Sequence, residues 1–366
     1  MKTKLITLVV GARPNFMKIS PIIRALETHK KYFSYRLVNT GQHNDEEMSN
    51  VFFDELGIPE PDQYLNAGGK THGEQTAITM IEFEKDCIKY CPDLVLVVGD
   101  INSTAACAIT AKKLNIKLAH VESGLRSFDR DMPEEINRLL VDSITDYYFV
   151  SEESGVENLL KEGHDKKNIH FVGNVMIDNL FYQNERLNNN LNFNFSTESL
   201  KVKLNKYALL TLHRPSNVDF EIKLKEIVGA INKISKEMPI IFSVHPRTKK
   251  RLKEFNIEFS PNVFLIGPVP YLEFLNLWRD AQVVLTDSGG LQEETTALGV
   301  SCVTIRENTE RPVTVSKGTN LLAGTAAKDI EHSFRMSLKS PQKKLRPISL
   351  WDGLAAMRIV EILRWV

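Results

Sequence analysis

Apolar residues in this chain fall into short unbroken runs, separated by stretches in which they recur every three or four positions. "LITLVVG" at residues 5–11 is such a run, and "FMKISPIIRALETHK" at 16–30 has helical spacing, with Pro21 in its early part. The alternation continues through "YRLVNTG", "EEMSNVFFDELG" (closed by Gly57), "AITMIEFEKDCIKY", "DLVLVVGD", "STAACAITAKKLN", "KLAHVE" and "YYFVSEES". None of the apolar runs alternates with polar residues at every second position. Strands of that kind are buried on both faces, so the pattern predicts a parallel sheet with helices on either side.

After "IHFVGNVMIDNL" the texture changes to the Asn-rich "YQNERLNNNLNFNFSTESLKVKLNK", which reads as a linker with a poorly buried helix. Alternation then restarts with "YALLTLHRPSN", "EIKLKEIVGAINKISKEM", "IIFSVHP", "NVFLIGP", "YLEFLNLWRDA", "VVLTDSGG", "LQEETTALG" and "SCVTI". The expectation is two doubly wound Rossmann-like α/β domains, 1–180 and 207–350, joined through a linker region at 181–206. Tandem domains of this kind are expected to face each other across a cleft. A chain of 366 residues suits that division.

Composition narrows the chemistry. Lys plus Arg and Asp plus Glu number 46 each, so bulk charge favours neither nucleic acid nor an anionic membrane, and any anion needs a local cluster. The four cysteines form no CxxC pair and read as buried reduced thiols, which suits the cytoplasm. The N-terminal apolar run is too short for a span or a leader, no other stretch approaches membrane length, and no membrane insertion is expected.

Ligands of parallel sheets bind beyond the carboxyl ends of the strands. Those ends carry "GARPNFMK" (Arg13, Lys18), "TGQHND" (Gln42, His43), "GDINST" (Asp100), "HVESGLR" (Glu122, Arg126), "LHRPSN" (His213, Arg214), "VHPRT" (His245, Arg247) and "TDSGG" (Asp287, Ser288). Ser288, Gly289 and Gly290 lead a strand into a helix, where small residues let backbone amides approach an anion. The same residues would serve a plain capped turn; the strand-end location favours a ligand. Glu294, one turn on, suits ribose hydroxyls, and "TERPVT" adds Arg311, so the set reads as a nucleoside diphosphate site. Arg13 and Lys18 bracket a second helix start. No G-x-G-x-x-G or GxxxxGK[ST] motif occurs, which removes support for nicotinamide or P-loop chemistry.

The charged stretch "HVESGLRSFDRDMPEEINR" belongs to the same strand-end set. With Asp100 it brings Glu122, Glu134 and Glu135, and less certainly Asp129 and Asp131, as acid–base candidates. Glu134 and Glu135 follow Pro133, where a helix dipole favours carboxylates in any case. The histidines show neither HxxxH nor HxH spacing, so no metal and no cofactor is expected; Mg²⁺ shared by Asp100 and a substrate diphosphate is the one arrangement left open. His29, His164 and His332 read as solvated.

"GARPNFMKISPII", "TGQH", "GDINSTAACAI", "HVESGLRSFDRDMPEEINR", "GNVMID", "TLHRPSN", "DSGGLQEE" and "TERP" resemble, in order from about residue 5 to residue 325, the non-hydrolysing UDP-N-acetylglucosamine 2-epimerases. That resemblance implies a GT-B type fold in which a C-terminal helix, here 351–366, completes the first domain. It implies an isomerase that interconverts UDP-GlcNAc and UDP-ManNAc for surface-polysaccharide precursors. The C1–O bond to UDP breaks to give a 2-acetamidoglucal, and UDP then re-adds with protonation from the other face. Carried onto this chain, the catalytic positions are Asp100, Glu122, Glu134 and His213. The UDP-binding positions are Arg13, Lys18, Tyr271, Ser288, Gly289, Gly290, Glu294 and Arg311.

The family's activator, a second UDP-GlcNAc, implies contacts at Gln42, His43, Gln75, Arg214 and His245, and relatives imply a homodimer. Here the chain departs from the family pattern. "NDE" follows Gln42-His43 where relatives commonly carry Arg and Gln, and "GARPN" and "LHRPSN" stand for "GTRPE" and "HRREN". Rival readings are C2 epimerisation of a related UDP-sugar such as a 2,3-diacetamido uronic acid, a hydrolysing epimerase, a GT-B glycosyltransferase, and a non-catalytic nucleotide-sugar sensor. Pro14-Asn15 disfavours the hydrolysing class, and the last two have no use for the acidic set.

Overall fold

The computed structural model describes residues 3–41, 53, 56–68, 71–189, 193–339 and 348–366. The chain forms two compact units, the first from Met1–Tyr182 with Ser349–Val366 and the second from Gln183–Ile348. Among the described residues no helix is long and apolar enough to cross a membrane.

The first unit is built on a seven-stranded parallel sheet of β1 (Lys4–Val10), β2 (Phe33–Asn39), β3 (Gln63–Tyr64), β4 (Leu94–Val98), β5 (Lys117–Val121), β6 (Tyr147–Val150) and β7 (Ile169–Phe171). Its spatial order is β3-β2-β1-β4-β5-β6-β7. Helices cover both faces, so "LVLVV" in β4 is buried along its whole length, as its unbroken apolar run requires. The second unit repeats the scheme with six parallel strands, β8 (Ala208–Thr211), β9 (Ile240–Ser243), β10 (Val263–Ile266), β11 (Val283–Thr286), β12 (Cys302–Thr304) and β13 (Asn320–Leu322). They lie in the order β10-β9-β8-β11-β12-β13.

Each order reverses direction once, between β1 and β4 in the first sheet and between β8 and β11 in the second. At such a switch point successive connections leave to opposite faces and a crevice opens at the carboxyl ends. The candidate residues sit there. Lys18 lies on the helix after β1, Asp100 follows β4, His213 and Arg214 follow β8, and Asp287 and Ser288 follow β11.

Two local solutions keep these elements together. Pro21 stands mid-way along the helix Arg13–Glu27 and donates no hydrogen bond to the carbonyl four residues back. The Ser20 hydroxyl donates to that same Met17 carbonyl at 3.3 Å. The C-terminal helix Ala355–Leu363 packs on Arg13–Glu27. Its first amides, Ala355 N and Ala356 N, donate to the two oxygens of Asp178 at 3.1 and 2.7 Å. The aspartate of "GNVMID" is thus a helix cap.

Some expectations need correction. The Asn-rich stretch does not leave helix at its start: Val175–Asn189 is one helix, with Gln183 and Leu187 buried. His29 and His164 are not solvated. The His29 ring faces Ala25 O and Glu361, both at 2.9 Å, and His164 meets the Tyr148 hydroxyl at 2.9 Å. Cys87, Cys107 and Cys302 are buried, but Cys91 is exposed because it terminates the helix His72–Tyr90 in a left-handed conformation. Most of "EEMSNVFFDELG" lies outside the described residues.

Candidate active site

Glu122 follows β5 in a left-handed conformation, φ 71°, which costs a non-glycine residue about 1–2 kcal/mol. The surroundings hold it there. Glu122 N and Ser123 N both donate to Phe149 O, at 3.0 and 3.3 Å. Gly124 follows at φ 79°, with its Cα so close to Gly155 that a Cβ would lie 2.3 Å from Gly155 O. The strained backbone aims the Glu122 carboxylate at the Lys18 ammonium, and the two form a buried ion pair. Asn15 braces the same corner, accepting from Ala12 N at 3.1 Å and donating to Val98 O at 2.9 Å.

On the neighbouring strand end, Arg138 donates to Asp100 Oδ2 from Nε and Nη2 at 3.0 and 2.7 Å. Its Nη1 reaches Glu135 at 2.7 Å. Glu135 also accepts from Ser127 N, Ser127 Oγ and Phe128 N, at 2.9, 3.0 and 3.1 Å, so it pins the loop that follows Glu122. Burial works against its charge, but these donors outweigh it and lower its pKa. Glu134, one residue earlier, is exposed in the first turn of the helix Pro133–Ile144.

Behind both strand ends lies a fully buried carboxylate. Asp142 accepts from His120 Nδ1 at 2.7 Å, Arg126 at 2.7 Å and Gly124 N at 2.9 Å. The other ring nitrogen of His120 meets Gly99 O at 2.9 Å, and Arg126 also binds Glu162 at 2.8 and 2.6 Å. Burial raises the Asp142 carboxyl, yet His120, Arg126 and the Gly124 amide prevail and hold it below the ordinary carboxylate range.

The second unit gathers cations around buried anions. Asp287 accepts from the His213 amide at 3.0 Å, Arg214 N at 2.9 Å and Asn217 Nδ2 at 3.2 Å, and its Oδ1 meets His213 Nδ1 at 2.8 Å. Burial opposes its charge, but the His213 ring and these amides lower its pKa all the same. The His213 and His245 rings lie 5.8 Å apart. His245 is pushed down from its usual value, first by burial and then by its neighbours His213 and Arg247.

Ser288 stands just before the helix Gly289–Leu298, and a Cβ on Gly289 would lie 3.1 Å from Glu310. Glu310 binds Arg214 at 3.1 Å and Arg306 at 2.7 Å. Burial raises the Glu310 carboxyl, but the Arg306 bond and the charges of Arg311 and Arg214 bring it down to about 2. Arg311 meets Glu293 at 2.9 Å, and the Tyr271 hydroxyl donates to Glu294 at 2.7 Å. Three arginines and a helix N-terminus in one neighbourhood suit an anion. Among the described residues no group of three or more His, Cys, Asp or Glu side chains is arranged to hold a metal ion.

Comparison with known proteins fits this chemistry. The sequence model of the family described as UDP-N-acetylglucosamine 2-epimerase matches residues 24–364. The UDP-N-acetylglucosamine 2-epimerase of Methanocaldococcus jannaschii is 44% identical, over 98% of this chain and 99% of that protein. The chain belongs to the UDP-N-acetylglucosamine 2-epimerase family. It is therefore an isomerase, an epimerase of nucleotide-sugar type. The UDP-2,3-diacetamido-2,3-dideoxy-D-glucuronate 2-epimerase of Pseudomonas aeruginosa is 40% identical, over 90% of this chain and 91% of that one. The crystal structure of the M. jannaschii epimerase in complex with UDP-GlcNAc and UDP matches with a TM-score of 0.89, covering 99% of this chain and all of that one.

Within this epimerase fold the expected residues separate by unit. Lys18, Asp100 and Glu122 gather at the strand ends of the first, together with Gln75, which accepts from Asn102 at 2.8 Å. His213, Arg214, His245, Tyr271, Ser288, Gly289, Gly290, Glu294 and Arg311 belong to the second. Arg13 opens its helix, and Gln42 and His43 lie outside the described residues. Lys18, expected at the diphosphate, pairs its ammonium with Glu122. Sequence reading gave no role to Asp142, His120, Arg138 or Glu310. A signal existed for Asp142 and Arg138. Glu135, Arg138 and Asp142 recur at helical spacing, and that charged stripe is the buried face of its helix, while Ile136 is exposed.

Proposed function

We propose that this epimerase interconverts UDP-GlcNAc and UDP-ManNAc by eliminating UDP to a 2-acetamidoglucal and re-adding it. The observation that carries the reading is the pair of carboxylates on adjacent strand ends, Glu122 paired with Lys18 and Asp100 with Arg138. Removing and returning a proton at an unactivated C2 needs acid–base groups held in place, and these two are held by backbone and by ion pairs. The departing diphosphate needs fixed positive charge, which Arg214, Arg306, Arg311 and the amides after Ser288 supply. Asp287 orients His213 through Nδ1, which leaves Nε2 as the ring nitrogen to serve a ligand. Tyr271 and Glu294, joined by a hydrogen bond, suit the nucleoside. Glu134, exposed beside the loop, is the third acid–base candidate.

The M. jannaschii relative holds UDP-GlcNAc and UDP in one complex, which supports UDP-sugar binding here and a second nucleotide as activator near Arg214 and His245. A homodimer is supported by exposed Ile81, Ile88 and Ile136, on two helices that both pack against Asn102–Lys113. Free thiols suit work in the cytoplasm on polysaccharide precursors. The P. aeruginosa relative supports a second reading, the same chemistry on a diacetamido uronic acid. Proton NMR of the enzyme with each UDP-sugar decides between them: a new anomeric signal from UDP-ManNAc establishes the first, turnover of the uronate alone the second, and release of free ManNAc rejects both.

A further inference from the structure

Glu122 and Asp100 follow separate, neighbouring strands. Their supports meet at one atom group. Asp142, wholly buried on the helix Pro133–Ile144, holds Gly124 N two residues beyond Glu122 and holds Arg126 two residues further on. Through His120 it also reaches Gly99 O, one residue before Asp100, and His120 has no exposed surface. Gly99 is itself left-handed, φ 67°, and a Cβ there would lie 2.9 Å from the Lys18 ammonium. Gly99 N donates to Val121 O at 3.1 Å, so the two strand ends are also stitched by backbone. The helix turns Glu135, Arg138 and Asp142 inward, and all three bind strand-end or loop groups. A buried cluster of this size is not needed to close the sheet, whose strands are already apolar.

We propose that Asp142 is a positioning residue for the epimerisation: it fixes the turn that carries Glu122 and, through His120, the turn that carries Asp100, so one buried carboxylate sets the spacing of the acid–base pair. This rests on the reading of Asp100 and Glu122 as the acid–base groups. Asp142 touches no substrate in this scheme. Replacing it lets the strained backbone at Glu122 relax, and displacement of about 1 Å in a reacting group costs roughly a hundredfold in rate. UDP is gripped by residues of the second unit, so its affinity does not depend on this cluster.

The test is the variant Asp142→Asn, assayed for turnover, KM and UDP affinity on the full chain. Turnover is expected to fall roughly a hundredfold, with KM and the UDP Kd within roughly threefold of the parent. Asp86→Asn serves as the control. It breaks another buried ion pair of the same unit, Arg36 to Asp86 at 2.8 Å, away from the strand ends. It is expected to lower Tm while leaving turnover intact. Should Asp142→Asn not fold, His120→Gln replaces it; this keeps a donor for Gly99 O, gives up the one to Asp142, and is expected to lose roughly tenfold in turnover with UDP affinity unchanged. Parent-like turnover in the folded variant, or an equal loss in Asp86→Asn at equal loss of Tm, overturns the proposal. Glu122→Gln is run in parallel: if it turns over normally the acid–base reading itself fails, whereas if it is dead and Asp142→Asn is not, only the positioning role fails.

Discussion

The two units share one topology and solve opposite electrostatic problems with it. At the switch point of the first, cations hold the carboxylates we propose as the acid–base pair: Lys18 on Glu122, and Arg138 on Asp100. At the switch point of the second, buried carboxylates hold the groups we propose for the diphosphate: Asp287 under His213, and Glu310 between Arg214 and Arg306. Arg138, Asp287 and Glu310 are each more buried than the Asp100, His213 and Arg214 they hold, and Lys18 and Glu122 are buried together. The backbone differs too. The first unit spends strain at Glu122, φ 71°, whereas Ser288 opens its helix in ordinary extended geometry, φ −80°. Proton transfer needs atoms in one place, and an anion cradle needs only converging amides and arginines.

The largest effect expected from that contrast is on turnover. Asp100→Asn should lower it roughly a thousandfold without weakening UDP binding, as steady-state kinetics and calorimetry with UDP would show. A drop in both together would mean that the first unit also grips the nucleotide.

Next in size is a difference in pH response. Burial pushes the Asp178 carboxyl up to about 6 despite the two amides it caps, whereas Glu310 sits at about 2. A carboxylate raised in the folded state binds protons more readily there than in the unfolded chain, so its contribution falls as pH rises from about 4 to about 6. Relative to Asp178→Asn, the parent should lose on the order of 3 kcal/mol between those values, read as a fall in the parent's Tm relative to the variant's. Glu310 runs the other way: its contribution is present above about 4.5 and is lost only as pH falls toward 2. A Tm difference for Asp178→Asn that is flat from pH 4 to 7 would remove the first half of the contrast.

Asp287→Asn should cost roughly tenfold to a hundredfold in turnover and also weaken UDP, because it releases the His213 ring and the Arg214 amide together. Arg311→Lys keeps the charge but loses the planar donor set facing Glu293, and is expected to weaken UDP roughly fivefold with turnover at saturation unchanged. If Asp287→Asn left UDP affinity untouched, the two units would no longer differ in the way described.

Much of this arrangement is legible in the sequence alone. Unbroken apolar runs at "DLVLVVGD" and "VVLTDSGG" place parallel strands, and the strand-end rule then collects Asp100, Glu122, His213 and Ser288 with no further information. What stayed hidden has physical causes. The Pro133–Ile144 helix buries charge and exposes Ile136, so its apolar positions mislead about which face is inside. Local rules fail where a site demands it. The partner of Lys18 and the Arg214 partner of Glu310 could not be read either, since each lies far away in sequence. Asp178 is the reverse case: its motif resembles the family's, but its oxygens serve a helix end.

The central claim is that C2 proton chemistry belongs to the first unit and UDP retention to the second. Deuterium incorporation at C2 of UDP-GlcNAc in D2O, followed by proton NMR for the parent and for Glu122→Gln, tests it most directly. The account predicts rapid exchange by the parent and none by Glu122→Gln, with UDP still bound as tightly by the variant. Exchange by Glu122→Gln at the parent's rate, or a loss that merely tracks weaker UDP binding, would contradict it.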